Sequence, residues 1–431
     1  MILPEILNCG RLWNLGNRIN SNCLKYGTIR QEVLLAGNLR DRLLFIRQAK
    51  KAVAAKPAIN ETNINNFPGW VKISDLVLKR EIIFPENFIL PKDMPSAAPV
   101  VMPGIRTGCN YSELLFFDLE TTGLSGGAGT VAFLAAFGRF IKTNAAYRLH
   151  ICQYLLLDYP GECDLIEALL NEIKNDSTII SYNGKNFDSQ ILANRFLMNG
   201  VRPPEYQHAD LLYPARRLWK KILPNCSQGT IETEILGIDR SGDIPGAMAP
   251  DIWFSFLRDG NPVPLLGICD HNRRDISGLA SIFQAIASIA ENPVKSIETI
   301  RFDIETLAIK WHEASIACEY FQHLYDRGRS LLLHAAEKNY PRAQLRYALT
   351  LLREGNYGER RDWLLKAASA GQRQPPEIQA KALRFLSIDS ERRLKNCKEA
   401  LKFAEQGMSL LPVESGLKKD YERRILRLKE K

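Results

Sequence analysis

The sequence has no run of about 18 apolar residues, the length a helix needs to cross a bilayer, so no membrane partner is expected. Its start, MILPEILNCGRLW, lacks a basic segment followed by a long apolar core, and no secretory signal is expected. Nine cysteines are scattered with no C-x-x-C pair, which argues against a zinc ribbon and against a disulfide framework. Reduced thiols and a cytoplasmic location are the expectation. The glycine-rich SGGAGT lacks a following G-K-[ST], so it has no lysine for the phosphates of a nucleoside triphosphate. Gly126, Gly127 and Gly129 read instead as a turn between two strands.

What is present is ordinary in bulk and uneven in distribution. Hydrophobic residues make up 45% and charged residues 24% of 431 residues, the composition of a globular protein of two or three domains. Residues 1–100 carry 14 basic and 8 acidic side chains, and residues 301–431 carry 26 and 18. The middle, 101–300, has 17 basic and 22 acidic. An acidic centre between basic flanks suits a cation site beside a surface that attracts a polyanion, although solubility alone accounts for it equally well.

Three regions are expected. Residues 1–100 form a basic N-terminal region with a helical stretch over Gln31–Val53, a polar linker KPAINETNINNFPG and a strand in DLVLKREIIFP. The proline-dotted PKDMPSAAPVVMPG is read as the boundary to a second region, 101–295. There LLFFDLE, VAFLAAFGRF, YRLHICQYLLL and TIISYNG read as strands. Cys163–Lys174, Phe187–Met198 and His271–Ala290 read as helices. Strands that first meander and then alternate with helices imply a mixed sheet in an α/β layer fold. Residues 312–431 are helical throughout. Ala317, Tyr320, Leu333 and Ala336 recur 31 residues later as Ala348, Leu351, Leu364 and Ala367, a period near that of tetratricopeptide-like helix pairs. A plain helical bundle is the alternative.

Asp118 and Glu120, in FFDLETTG, share one face of a strand. At an effective dielectric of about 20, two like charges ~4 Å apart cost roughly 4 kcal/mol, a penalty that a bound divalent cation removes. Asp188, in YNGKNFD, falls in the first turn of a helix, where the dipole tolerates a carboxylate whatever its role. His271 and Asp275 stand four apart on a helix and so share a face.

FDLETTG, YNGKNFD and H-N-x-x-D, in this order, resemble the three exonuclease motifs of the DEDD nucleases, which have a ribonuclease-H-like fold. LETTGLSGGAGT, DLLYPARRLW and HNRRDISGL together resemble the YprB-type ribonuclease-H-like family, whose members can carry a tetratricopeptide-like tail. The resemblance covers about Leu114–Ala290. It implies a 3′–5′ exonuclease working with two divalent ions, Mg²⁺ or Mn²⁺, on RNA or DNA. Asp118 would bridge the ions, Glu120 and Asp275 would complete the first site, and Asp188 would hold the second through water. His271 would orient or deprotonate the attacking water, and Thr121, Thr122 and Asn183 would contact the nucleotide being removed. One departure bears on His271: the histidine branch spaces this pair H-x4-D and the tyrosine branch Y-x3-D, whereas here a histidine stands at the tyrosine spacing. One residue turns a helical side chain by about 100°, so both roles stay open.

HADLLYPARRLWKK offers Arg216, Arg217, Lys220 and Lys221 beside Trp219 for a nucleic-acid backbone, with Asp210 read as structural, pairing with Arg217 or capping the helix. Two other functions remain beside the exonuclease. One is a nuclease-like scaffold or nucleic-acid-binding protein that docks a protein partner on its helical repeat. The other is a structure-selective endonuclease or hybrid ribonuclease.

Overall fold

The computed structural model describes residues 64–123, 129–144, 146–174, 176–369, 375–412 and 414–431. The helical stretch expected over Gln31–Val53, most of the polar segment after it, and Gly126 and Gly127 lie outside these residues. Asn63–Ala193 and Pro204–Lys431 form one compact unit. The second unit comprises residues 1–62 and Asn194–Pro203, and its described part is a helix end and the turn that follows.

Seven strands build the sheet: β1 Val71–Ser74, β2 Val77–Phe88, β3 Leu114–Thr121, β4 Ala132–Lys142, β5 Tyr147–Leu156, β6 Thr178–Ser181 and β7 Gln207–Asp210. Their order is β1-β2-β5-β4-β3-β6-β7. Neighbours from β1 to β3 run antiparallel, whereas β3, β6 and β7 are mutually parallel. Parallel neighbours need a crossover, and helices supply it: α1 (Glu162–Glu172) between β5 and β6, and α2 (Asp188–Met198) between β6 and β7. After β7 come α3 (Leu212–Trp219), α4 (Gln228–Glu234), α5 (Ala249–Asp259) and the 29-residue α6 (Val263–Glu291).

The sheet starts earlier than expected. β1 and β2 lie before the boundary placed near residue 100, yet β2 pairs along most of its length with β5. The proline-dotted segment read as the boundary is itself packed: Ala97, Ala98, Val101 and Met102 are buried in the same core as α6. Prolines limit regular structure there without stopping burial of the apolar residues between them. Gly104, at φ +104°, passes so close to β7 that a Cβ would lie 2.3 Å from the His208 carbonyl oxygen.

Helix α6 covers one face of the sheet. Phe116 of β3 meets Phe283 of α6 at 5.7 Å between ring centres, and Tyr111 and Phe140 close the cluster edge-to-face. Gly138 on β4 lies opposite Phe116, and a Cβ there would stand 2.6 Å from Ile276 of α6. The missing side chain lets the helix press onto the strand. Because β3 side chains alternate, Asp118 and Glu120 share the face of Phe116 and look toward α6, while Phe117 stacks on Phe137 on the other face.

The remainder is helical: α7 Ile304–Ala317, α8 Tyr325–Glu337, α9 Pro341–Arg353, α10 Tyr357–Ser369, α11 Pro376–Arg392, α12 Cys397–Ser409 and α13 Gly416–Lys429. Consecutive helices pack on one another. The 31-residue offset holds for the second helix of each pair, where Ala336 and Ala367 are both fully buried. It fails for the first. Ala317 ends α7 and Tyr320 lies in the turn beyond it, both exposed, while Ala348 and Leu351 are buried within α9.

Candidate active site

The end of β3 carries Asp118, half-buried, and Glu120, buried at 8% exposure. The hydroxyl of Thr121 donates to the Gly123 carbonyl at 3.0 Å, and that of Thr122 accepts the Val131 amide at 3.0 Å. Both predicted substrate contacts therefore also hold the strand end in place.

Asp188 arrives from the turn between β6 and α2. Asn183 there adopts φ +63°, the left-handed region that asparagine tolerates better than most residues. Asp210, 3% exposed at the end of β7, organises the turn: it accepts the amides of Asn183 at 2.8 Å, Lys185 at 3.1 Å and Leu212 at 3.0 Å. Its structural reading holds, but the Arg217 pairing does not, since that guanidinium donates to the Val100 carbonyl at 2.7 Å. Gly184 leaves room for the site, because a Cβ there would lie 2.9 Å from Asp188 Oδ2.

α6 brings His271, Asn272 and Asp275. His271 Nε2 is 3.3 Å from Asp275 Oδ2 and 4.0 Å from Glu120 Oε1. Burial and the nearby charges of Asp275, Asp188 and Glu120 push Asp118 well above the ordinary carboxylate range. Burial and the charges of Asp275, Asp188 and Asp243 do the same to Glu120. Asp188 is pushed up to about 7 by burial and by the charge of Asp210. The predicted ligands thus come from three separate segments and lie close enough to raise one another's carboxyl groups. Among the described residues, the group that brings three ligand atoms within 4.8 Å of one another is Glu81, His150 and Cys152. That group lies on the sheet face turned away from α6, and Lys79 pairs with its Glu81.

Several participants escaped the sequence reading. Fully buried Asn272 donates to Asp118 Oδ2 at 2.7 Å, and its own Oδ1 accepts from Gln153 Nε2 at 2.8 Å. Arg80 donates in turn to Gln153 Oε1 at 2.6 Å. Gln153 could have been noticed as the one amide in the otherwise apolar ICQYLLL, since a buried amide needs partners. Arg240 and Asp243, in the loop after α4, gave no such signal. Arg240 donates to Asp275 Oδ1 at 2.5 Å, to Asp243 Oδ2 at 2.6 Å and to Glu232 Oε2 at 2.6 Å. Asp243 Oδ1 lies 3.0 Å from His271 Nδ1. Burial opposes the charge of Asp243, but Arg240 and His271 outweigh it and hold the carboxyl below its usual range.

Of the residues read as a grip on a nucleic-acid backbone, Arg216 and Lys220 are exposed, whereas Trp219 and Lys221 have partners within the fold. Trp219 is fully buried, its Nε1 donating to the Arg301 carbonyl at 2.9 Å, and Lys221 pairs with Asp303 at 2.8 Å.

Residues 115–287 match the family model of the RNase_H superfamily. The chain carries an RNase_H-superfamily domain. The matched span runs from β3 into the last turns of α6 and so contains every predicted site residue. Over 180 residues the chain is 40% identical to the uncharacterized protein YprB of Bacillus subtilis (strain 168). That match covers 41% of this chain and 42% of YprB, less than half of either. No helix among the described residues is long and apolar enough to cross a membrane.

Proposed function

We propose that this chain is a metal-dependent nuclease that removes nucleotides from the 3′ end of RNA or DNA. The observation that carries this reading is uncompensated charge: Asp118, Glu120 and Asp188 are all held above the ordinary carboxylate range at one end of the sheet, with Asp275 beside them. An oxygen-only donor set of this kind fits Mg²⁺ or Mn²⁺. Asn272 occupies one oxygen of Asp118, which keeps its second for a cation, while Arg240 takes one oxygen of Asp275 and the other faces His271 Nε2 at 3.3 Å. Asp118, Glu120 and Asp275 would hold one ion, and Asp118 with Asp188 a second. Such ions acidify water and take up charge on a leaving 3′ oxygen. His271 takes the proton of the attacking water through Nε2, the nitrogen that faces Glu120 and Asp275. Thr121, Thr122 and Asn183 would contact the terminal nucleotide. The helical region, tetratricopeptide-like in period, is the place for a protein partner, and the setting is cytoplasmic.

One observation favours the scaffold instead. Arg240 already neutralises Asp275. The test is digestion of end-labelled single-stranded RNA and DNA with Mg²⁺, Mn²⁺ or chelator, by wild type and Asp118→Ala. Metal-dependent shortening from the 3′ end, lost in the variant, is expected. Folded protein that cleaves neither strand and binds no Mn²⁺ would leave the scaffold.

A further inference from the structure

The loop that joins α4 to α5 carries no predicted site residue, yet two of its side chains enter the site. Asp243 splits its carboxylate. Its Oδ2 accepts from Arg240 Nη2 at 2.6 Å and Nε at 2.9 Å, while its Oδ1 faces His271 Nδ1 at 3.0 Å. Asp275 is split the same way, with Oδ1 on Arg240 at 2.5 Å and Oδ2 facing His271 Nε2 at 3.3 Å. A single guanidinium, with five donors in a planar fork, thereby sets two carboxylates, and these flank one imidazole.

Arg240 is itself anchored. Its Nη1 reaches Glu232 Oε2 at 2.6 Å, and Glu232 is 1% exposed on α4. Gln228 fixes Glu232 from the other side at 2.9 Å and donates to the Asp275 carbonyl at 2.7 Å. The space for Glu232 comes from Gly278, one turn beyond Asp275 on α6, where a Cβ would lie 1.7 Å from Glu232 Oε1. The glycine of HNRRDISGL thus serves the anchor of Arg240. Gly246 closes the loop over the ring, with a Cβ there standing 3.0 Å from His271 Nε2.

We infer that Asp243 and Arg240 are positioning residues of the nuclease site: Asp243 holds Nδ1 of His271 so that Nε2 is the nitrogen presented to the attacking water, and Arg240 fixes Asp243 and Asp275 together. This rests on the nuclease reading and accounts for the unusual H-x3-D spacing. The imidazole is aimed by a carboxylate from a neighbouring loop rather than by its own place on the helix. A histidine whose second nitrogen is held by a carboxylate has its tautomer and ring orientation fixed, the arrangement that makes metal-site and catalytic histidines effective.

The test uses the full chain and three variants, Asp243→Ala, Asp243→Glu and Arg240→Lys, each first checked for folding by circular dichroism. Long-range proton–nitrogen correlation spectra of histidine-labelled protein read the ring, with His271→Gln used to assign its signals. In wild type the proton is expected on Nδ1; in Asp243→Ala the ring should populate both tautomers. In kinetics on single-stranded substrate, Asp243→Ala should lower kcat about 10–100-fold with KM within about twofold. Asp243→Glu should restore part of the loss. Arg240→Lys, whose point charge cannot fork across the carboxylates, should lower kcat and weaken Mn²⁺ binding, measured by electron paramagnetic resonance, about tenfold. An unchanged His271 tautomer in Asp243→Ala, or a loss confined to KM, overturns the inference. The ring signal is read whether or not wild type cleaves. A silent wild type therefore sinks the nuclease reading, while the positioning of His271 is still decided by the spectra.

Discussion

The sheet and the helical region bury carboxylates on opposite terms. In the helical region Glu391, nearly buried, is met by Arg424 at 2.9 Å, Arg427 at 2.8 Å and Lys431 at 2.8 Å. Burial opposes its charge, but those cations hold it below the ordinary range. Asp389 is likewise buried against Arg360. At the end of β3 no cation touches Asp118, Glu120 or Asp188 among the described residues, and all three are pushed up. Paired burial holds helices together. Unpaired burial costs stability and persists where something outside the fold supplies the missing charge.

The largest effect should come from removing the unpaired kind. Asp118→Ala is expected to lower turnover about 10³-fold or more, since several kcal/mol of charge stabilisation at the reacting phosphate go with it. Single-turnover digestion with saturating Mg²⁺ measures this. If the variant cleaves as wild type does, the carboxylates of β3 are not the site.

Removing the paired kind should act on folding alone. Asp389→Ala leaves Arg360, whose side chain is 2% exposed, buried without its partner. Breaking such a pair typically costs 3–5 kcal/mol, so about that loss is expected in urea unfolding. Turnover per folded molecule should not change. A drop in turnover would mean that the helical region takes part in the reaction.

pH separates the two kinds again. Asp188 has its folded value raised to about 7 from the ordinary 3.8. Between these values the folded chain holds a proton that the unfolded chain has released, so stability falls as pH rises. The fall reaches at most about 4 kcal/mol by pH 7, at 1.4 kcal/mol per unit. Glu391 has the opposite sign: its contribution is present above the ordinary glutamate value and is lost as pH falls through its lowered one. Metal-free protein should therefore become less stable from about pH 4 to pH 7, and Mn²⁺ should stabilise it more at pH 8 than at pH 5. Thermal melts across that range, with and without Mn²⁺, check both signs. A Mn²⁺ effect equal at the two pH values would remove Asp188 from the ligands.

The parts of this contrast differ in how legible they were. β3, β4 and β5 were readable because strands buried on both faces are continuous apolar runs, and α6 because its apolar spacing is long and regular. β2 was readable as a strand but not as a member of this sheet, since pairing across some 70 residues leaves no local mark, and the four-residue β1 was not read as a strand at all. The carboxylates and His271 stood out through their motifs. Asn272 sat inside the same motif and was passed over, because an amide on a helix has many uses. Arg240 and Asp243 were invisible: a basic and an acidic residue in a glycine- and proline-bearing loop are ordinary until the fold sets them against α6. Trp219 misled in the other direction, since an aromatic among basic residues looks like a nucleic-acid platform and here is core.

The smallest expected effect is also the most diagnostic of the comparison. Glu120→Gln removes one buried charge that has no cation beside it and keeps the volume of the side chain. If the charge at β3 is held only for a cation, its loss should raise the stability of metal-free protein at pH 8 by about 1 kcal/mol or more, one pKa unit being worth 1.4 kcal/mol. The same exchange in the helical region, Glu391→Gln, takes the anion away from three cations and should lower stability. Urea unfolding in chelator gives both numbers. Mn²⁺ should then reverse the order at β3, because wild type gains stability from the ion in proportion to its affinity and Glu120→Gln gains less. If Glu120→Gln destabilises the metal-free chain as Glu391→Gln does, both carboxylates are structural and the contrast between the two regions fails.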